Sequence, residues 1–262
     1  MFCMLSTLLF ACLAIFALAV PPSQERLSAS VVRDPTRLSQ SGTVSSVEVQ
    51  YSTDWAGAIL HSQTDTIREI TGRLVIPTPR IPIRNDGKDA HYARIWVGVD
   101  GDVCESASIR VGCDLVVDSA GNITVNAFYH AFPGPIQHLN SSLSAPGASM
   151  TFAIALTSNT TGTVYVTEHT LDETVAQPFK TGAPLCQQDA EWVVENIVID
   201  DKLLAMADFG TVTFTNASAV VEEKQVASRV GTDGARVINI WQDRLLTDVA
   251  LGASSVAITY LS

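Results

Sequence analysis

Charged residues are scarce in this chain, and basic residues are fewer than acidic ones. Only 16% of the 262 residues are charged, and 16 Lys and Arg face 27 Asp and Glu, a formal net charge of −11. Residues 1–45 hold three arginines and two acids, so the remainder has 13 basic and 25 acidic residues, a net charge of −12. Such a balance argues against nucleic acid or an anionic membrane as a partner, and it suits a protein that stays soluble in acid.

Several catalytic signatures are also missing. No GxSxG elbow is present to carry a serine nucleophile, and "VGVDGD" at residues 97–102 is too short a glycine pattern to cradle a phosphate. The histidines form neither an HExxH motif nor a cluster with metal-ligand spacing. We therefore predict no metal site and no cofactor. The five histidines are His61, His91, His130, His138 and His169.

Helical periodicity is nearly absent, and short alternating runs take its place from residue 46 onward. In "SMTFAIALT", Met150, Phe152, Ile154 and Leu156 share one face at a period of two residues, as in a half-buried strand. Turn signals such as "SAGN", "SNTTG" and "GTDG" separate these runs. The pattern predicts an all-β protein, a two-sheet sandwich, with a single domain at residues 46–262.

The N-terminal twenty residues have no charge and carry Ala17-Leu18-Ala19, a small-x-small cleavage pattern. Residues 1–19 are therefore interpreted as a signal peptide, and residues 20–45, rich in Arg, Pro and Ser, as a pro-segment or linker. An uncleaved membrane anchor is the alternative, because the stretch is about as long as a membrane span and has no Lys or Arg before it. We expect a secreted, extracellular protein that does not touch a membrane once the signal peptide is removed.

Cysteines and glycosylation sequons agree with secretion. Cys3 and Cys12 would leave with the signal peptide, so Cys104, Cys113 and Cys186 remain, enough for one disulfide and one spare thiol. Four Asn-X-Ser/Thr sequons are predicted N-glycosylation sites and surface turns. They begin at Asn122, Asn140, Asn159 and Asn216.

Two glutamates in "AEWVVENIVID" suggest carboxylate chemistry. Four residues along a strand span about 13 Å, whereas glycosidase carboxylates are about 5 to 9.5 Å apart, so Glu191 and Glu195 cannot form such a pair alone. If the segment is a strand, Glu195 lies between Val193 and Ile197, where desolvation can tune a general acid or base. The alternative is an exposed edge strand with two solvated acids.

Three segments taken together resemble the eqolisins, the fungal glutamic peptidases. They read "YSTDWAGAIL", "WVGVDGDVC" and "LCQQDAEWVVE", and the resemblance extends from about residue 48 to the end of the chain. It implies a concanavalin A-like jelly-roll sandwich of two large antiparallel sheets. It also implies an acid-active secreted endopeptidase that acts on protein or peptide substrates after losing a pro-segment. We expect a monomer.

The resemblance also implies roles for individual residues. Glu195 matches the catalytic glutamate, and Cys104 and Cys186 match the bridged pair, whose loop of about 80 residues would be worth on the order of 4 kcal/mol. Trp55, Trp96 and Asp100 match residues that line the active site. In "NAFYHAFPG", Tyr129 is retained in the substrate-binding region, with aromatic neighbours at Phe128 and Phe132, and His130 stands where an acid is usual.

The main departure from the family is at Arg110. The partner glutamine is expected six residues after the first bridging cysteine, and "SIRVG" places Arg110 there. A guanidinium can donate to an oxyanion but cannot accept a hydrogen bond, and it can pair with Glu195 and displace the nucleophilic water.

Two hypotheses follow. In one, the protein is an acid endopeptidase in which Arg110 replaces the amide as electrophile. In the other, it is a non-catalytic relative whose cleft binds peptide, inhibitor or glycan. A lectin-like role is a weaker third, resting on fold class alone. Cys113 is predicted to be a buried spare thiol on the strand face opposite Arg110.

Overall fold

The structure, a computed structural model, describes residues 49–62, 66–84, 87–139, 145–222, 227–231 and 233–261. The predicted signal peptide and pro-segment lie outside the described residues, as does the sequon at Asn140. Within the described ranges, no helix is long and apolar enough to cross a membrane.

Eighteen strands are found in these ranges. The first nine are β1 (Val49–Ser52), β2 (Trp55–His61), β3 (Ile67–Val75), β4 (Ala90–Val99), β5 (Ser108–Asp118), β6 (Ile123–Phe132), β7 (Ile136–His138), β8 (Ser149–Leu156) and β9 (Thr161–Glu168). The others are β10 (Glu173–Lys180), β11 (Asp189–Glu195), β12 (Val198–Ile199), β13 (Lys202–Leu203), β14 (Thr211–Val221), β15 (Ala227–Arg229), β16 (Arg236–Ile240), β17 (Thr247–Gly252) and β18 (Ser255–Tyr260).

Two large sheets contain most of the strands. The first has the order β1-β16-β2-β11-β4-β5-β6-β7, and the second has the order β10-β9-β8-β3-β14-β18-β17, with β15 paired to β14. Among the described strands the pairing is antiparallel, apart from the parallel pair β1 and β16. The predicted all-β two-sheet sandwich is confirmed.

Alternation of apolar side chains explains how the sheets pack. In β8, Met150, Phe152, Ile154 and Leu156 are buried while the residues between them are half-exposed. The second sheet thus presents one apolar face to the first sheet, as the sequence pattern predicts.

The central strands of the first sheet differ, because both of their faces are buried. β11 is buried along its whole length, and so are seven consecutive residues of β4. One face joins the main core between the sheets. The other, here called the outer face, carries a separate apolar cluster. That outer-face cluster consists of Trp55, Ile59, Trp96, Phe128, Val193 and Ile238.

Candidate active site

The strand register brings the predicted catalytic residues to the outer face of the first sheet. Glu195 of β11 pairs with Trp55 of β2. Arg110 of β5 pairs with Gly98 of β4 and with His130 of β6. Because directly paired residues project to the same face of a sheet, these side chains lie around the outer-face cluster.

Glu195 lies in the middle of the sheet rather than at an edge. β11 is hydrogen-bonded to β2 on one side and β4 on the other, and Glu195 is only 2% exposed. The exposed-edge alternative is therefore wrong. The Trp96 Nε1–H donates to Glu195 Oε2 at 2.7 Å, which fixes the position of the carboxylate. The strand ends at Glu195, so Ile197 is not its strand neighbour.

Arg110 lies across the sheet beside this carboxylate. Its Nη1 is 3.7 Å from Glu195 Oε2, and its Cζ is 4.5 Å from the centroid of the Trp96 ring. Gly98 makes room for the side chain, because a Cβ there would be 2.7 Å from Trp96 Cζ3 and 3.2 Å from Arg110 Cγ. Arg110 is 3% exposed, and its Nε has no hydrogen-bond partner among the described residues.

The 3.7 Å separation between Arg110 and Glu195 is longer than a hydrogen bond. The two groups therefore do not form the bidentate pair that would exclude a nucleophilic water. A water bonded to both groups at about 2.8 Å with tetrahedral angles would hold them about 4.5 Å apart. A displacement of about 0.8 Å would therefore admit that water.

A second arginine near Glu195 is paired with an acid. Arg94 is the β4 register partner of Glu195, but its Nε donates to Asp114 Oδ1 at 2.7 Å, and its guanidinium packs over the Phe128 ring. Arg110 is the arginine that forms a described ion pair with Glu195. The Arg94–Asp114 pair was not predicted from the sequence. Alternation does place Arg94 on the same face of β4 as Trp96, and Asp114 on the same face of β5 as Arg110.

Asp54 is another residue that the sequence reasoning missed. It directly precedes Trp55 in "DWAGA", is buried, and accepts a hydrogen bond from Ser52 Oγ at 2.6 Å. Burial raises the pKa of the Asp54 carboxyl above its ordinary value, and the charge of Glu195 acts in the same direction. Asp54 is thus a further carboxyl group in the electrostatic surroundings of Glu195.

His130 is buried beside Arg110 in an environment that favours its neutral form. Its Nε2 is 2.8 Å from the Gly134 carbonyl oxygen, which can only accept, so Nε2 carries the proton. Burial, followed by the positive charge of Arg110, lowers the pKa of His130 to about 3. His130 therefore adds no charge to the site above that pH.

Asp100 and the disulfide hold the start of β11. The Asp100 carboxylate accepts backbone N–H groups of Gln187 and Gln188 at 2.8 and 2.9 Å, and Asp100 is fully buried. The predicted disulfide between Cys104 and Cys186 is present and joins the same two segments. These contacts make Asp100 a positioning group. Direct contact of Asp100 with a substrate stays a prediction.

Glu191 is buried on the same face as Glu195 but in different surroundings. Its Oε1 accepts the Asp102 backbone N–H at 3.1 Å. Burial raises the pKa of Glu191 well above its ordinary value, and the negative charges of Asp189, Asp102 and Asp100 add to this effect against the opposing charge of Arg110. In acid the Glu191 carboxyl is therefore neutral.

The predicted substrate contact of Tyr129 does not fit this arrangement. Tyr129 pairs with Val111 and packs against the main core between the sheets, whereas Glu195 and Arg110 lie on the outer face. Its neighbour Phe128 belongs to the outer-face cluster instead, because successive strand residues point to opposite faces.

The remaining sequence predictions concern cysteine, glycans and metal. Cys113 is a free, buried thiol in the main core, on the face opposite Arg110 as predicted, and burial raises its pKa. Asn122, Asn159 and Asn216 are exposed, although their glycosylation stays a prediction. No group of three or more His, Cys, Asp or Glu in the described ranges is arranged to hold a metal ion.

Comparisons with known proteins identify similar chains. The model of the peptidase A4 family matches residues 53–260. Aspergillopepsin-2 of Aspergillus niger is 32% identical over 229 residues, which cover 81% of this chain and 79% of the relative. Scytalidopepsin B of Scytalidium lignicola is 25% identical over 229 residues, covering 83% and 82% of the two chains.

Solved structures agree in fold. Aspergilloglutamic peptidase from Aspergillus niger aligns with a TM-score of 0.60 and 33% identity over 65% of this chain and 99% of its own. Scytalido-glutamic peptidase with a transition state analog inhibitor aligns with a TM-score of 0.68 and 22% identity over 80% of this chain and 98% of its own.

Proposed function

Because the chain belongs to the peptidase A4 family, we propose that it is a secreted acid endopeptidase in which Glu195 is the general base and Arg110 is the electrophile. The observation that carries this proposal is the geometry of the pair. Trp96 holds the Glu195 carboxylate, and Arg110 Nη1 remains 3.7 Å away without a hydrogen bond. A base that is fixed but not hydrogen-bonded to its cation can act on water once the pair separates by about 0.8 Å.

In the proposed reaction, Glu195 takes a proton from water while the water oxygen attacks the carbonyl carbon of the peptide bond. The carbonyl oxygen becomes an oxyanion, which the Arg110 guanidinium stabilises. When the C–N bond breaks, Glu195 returns the proton to the leaving nitrogen. The products are an amine and a peptide with a new carboxyl group.

Arg110 would supply a charged hydrogen-bond donor at the position where a neutral glutamine amide is expected. Removing one oxyanion donor from an enzyme of this kind typically costs about 10²–10³ in rate, so some donor is needed at this position. The guanidinium can meet that need because it offers several N–H donors and lies over the Trp96 ring beside Glu195.

Secretion is supported by three features. They are the uncharged N-terminal stretch with its small-x-small pattern, the disulfide, and the exposed sequons. The excess of acids over bases fits a protein that works in acid, because protonation lowers the repulsion between its surface carboxylates as pH falls.

The test is cleavage of a denatured protein between about pH 2 and pH 5 by the chain without its pro-segment. We expect the wild type to cleave and Glu195→Gln to lose at least about a hundredfold in rate. Glu191→Gln is the matched control: it lies on the same strand, is neutral in acid, and keeps an oxygen for the Asp102 N–H. Its activity should equal that of the wild type.

A non-catalytic binding protein is the second candidate, favoured by the replacement of glutamine with a cation that can pair with Glu195. An inert wild type, together with cleavage gained in Arg110→Gln, would replace the peptidase with this candidate. Robust cleavage by the wild type would remove it.

A further inference from the structure

The guanidinium of Arg110 has donor capacity that the described residues leave unused. It is 3% exposed, yet its Nε has no hydrogen-bond partner, and its Nη1 is beyond hydrogen-bond distance of Glu195. A buried guanidinium ordinarily has its N–H groups satisfied, because an unpaired buried donor is costly. Arg110 has an ion pair with Glu195 and a contact with the Trp96 ring, but its unsatisfied Nε indicates an acceptor that comes from outside this set of contacts.

The carboxylates already near the site do not supply that acceptor. Glu195 Oε2 is held by Trp96 Nε1, Asp54 bonds to Ser52, and Asp114 pairs with Arg94. Glu191, in the same register row as Arg110, accepts the Asp102 backbone N–H through its Oε1. Among the described residues, none of these four carboxylates forms a hydrogen bond with Arg110.

The geometry of the side chain defines the class of ligand. A guanidinium is a planar fork that matches the two oxygens of a carboxylate, and that of Arg110 lies over the Trp96 ring with its Cζ 4.5 Å from the ring centroid. The side chains of the outer-face cluster beside it are apolar and buried, so a carboxylate at this position would meet few competing polar groups.

We propose that Arg110 recognises the C-terminal carboxylate of a peptide, so that a peptide ending at this site binds more tightly as the free acid than as the amide. The proposal rests on the proposed function, since the reaction written above creates such a carboxylate beside Arg110. One oxygen comes from the former carbonyl and the other from the attacking water.

The experiment measures binding in the Glu195→Gln variant, which cannot turn over and carries no negative charge at residue 195. The probes are N-acetyl-Ala-Ala-Phe as the free acid and as the C-terminal amide, titrated by calorimetry at about pH 6, where the peptide carboxylate is ionised. The buffer contains no carboxylate. We expect the acid to bind about tenfold to a hundredfold more tightly than the amide, as a charge-assisted bidentate contact requires.

Adding Arg110→Gln to this variant should abolish the preference, and Arg110→Lys, which keeps the charge but not the fork, should retain only part of it. Equal affinity for acid and amide, no binding of either peptide, or a preference that survives Arg110→Gln would overturn the proposal. Acetate is a further probe, and acetate binding as tight as the peptide acid would overturn the peptide assignment.

The comparison of acid with amide needs only the Glu195→Gln variant, so misfolding of an Arg110 variant does not leave the proposal untested. Failure of this proposal can also be distinguished from failure of the proposed function. Absence of cleavage by the wild type would refute the peptidase, whereas absence of the acid preference would refute carboxylate recognition.

Discussion

His130 is a buried histidine that should make the folded state less stable as the solution becomes acidic. The folded chain holds it neutral, with its pKa lowered from 6.5 to about 3, while the unfolded chain restores the ordinary value. Below pH 6.5 the unfolded state therefore binds a proton that the folded state does not. The stabilisation of the folded state that comes from a neutral His130 is therefore present above pH 6.5 and is lost as the pH falls toward about 3.

The size of the effect follows from the same values. Each pH unit in which only the unfolded state binds the proton costs about 1.4 kcal/mol. Between pH 6.5 and about pH 4, His130 should therefore lower the free energy of unfolding by about 3 kcal/mol. That is a large part of the stability of an ordinary domain.

His130→Gln is the perturbation, because a glutamine amide can still donate to the Gly134 carbonyl oxygen but does not titrate. Urea unfolding of wild type and variant, measured from about pH 6.5 to about pH 4, gives the free energy of unfolding at each pH. We expect the wild-type curve to fall by about 3 kcal/mol more than the variant curve. His138→Gln, at an exposed position on the neighbouring strand, is the control and should follow the wild type. Parallel curves for wild type and His130→Gln would refute the reasoning.

Two further predictions concern the support of the site. If the proposed function holds, Gly98→Ala should lower the rate of cleavage about a hundredfold, because its Cβ would lie 2.7 Å from Trp96 Cζ3 and displace the indole that holds the Glu195 carboxylate. Gly182→Ala, whose Cβ would meet a neighbour only at 3.5 Å, is the control, and equal rates for the two variants would contradict this role. Replacing Cys104 and Cys186 by serine should lower the free energy of unfolding by about 4 kcal/mol in urea titrations, since the bridge closes a loop of 82 residues. A loss below about 1 kcal/mol would show that the loop closure contributes little.

The local pattern of the chain was sufficient to predict the fold class. Alternation in β8 identified Met150, Phe152, Ile154 and Leu156 as core residues, and all four are buried. Alternation in β5 also placed Cys113 on the face opposite Arg110, which the structure confirms. These predictions succeeded because strand periodicity is a property of neighbouring residues.

The parts of the site that the sequence did not reveal depend on pairing between distant strands. The edge-strand alternative for Glu195 could not be excluded until β11 was found between β2 and β4. Tyr129 was assigned to the substrate-binding region, but its strand parity turns it toward the main core. Asp54 and the Arg94–Asp114 pair were missed, because their importance comes from the register that sets them beside Glu195.

The sequence by itself determined the sandwich class and the residue types at the site, and it led to the prediction that Arg110 stands where the family has a glutamine. Only the tertiary structure decided how Arg110 meets Glu195: stacked on Trp96, 3.7 Å from the carboxylate oxygen, with its Nε unpartnered. The physical reason is that this distance depends on β11 pairing with β4, which pairs with β5 much earlier in the chain, and on the absence of a side chain at Gly98. Side-chain alternation along any one strand carries no information about that spacing.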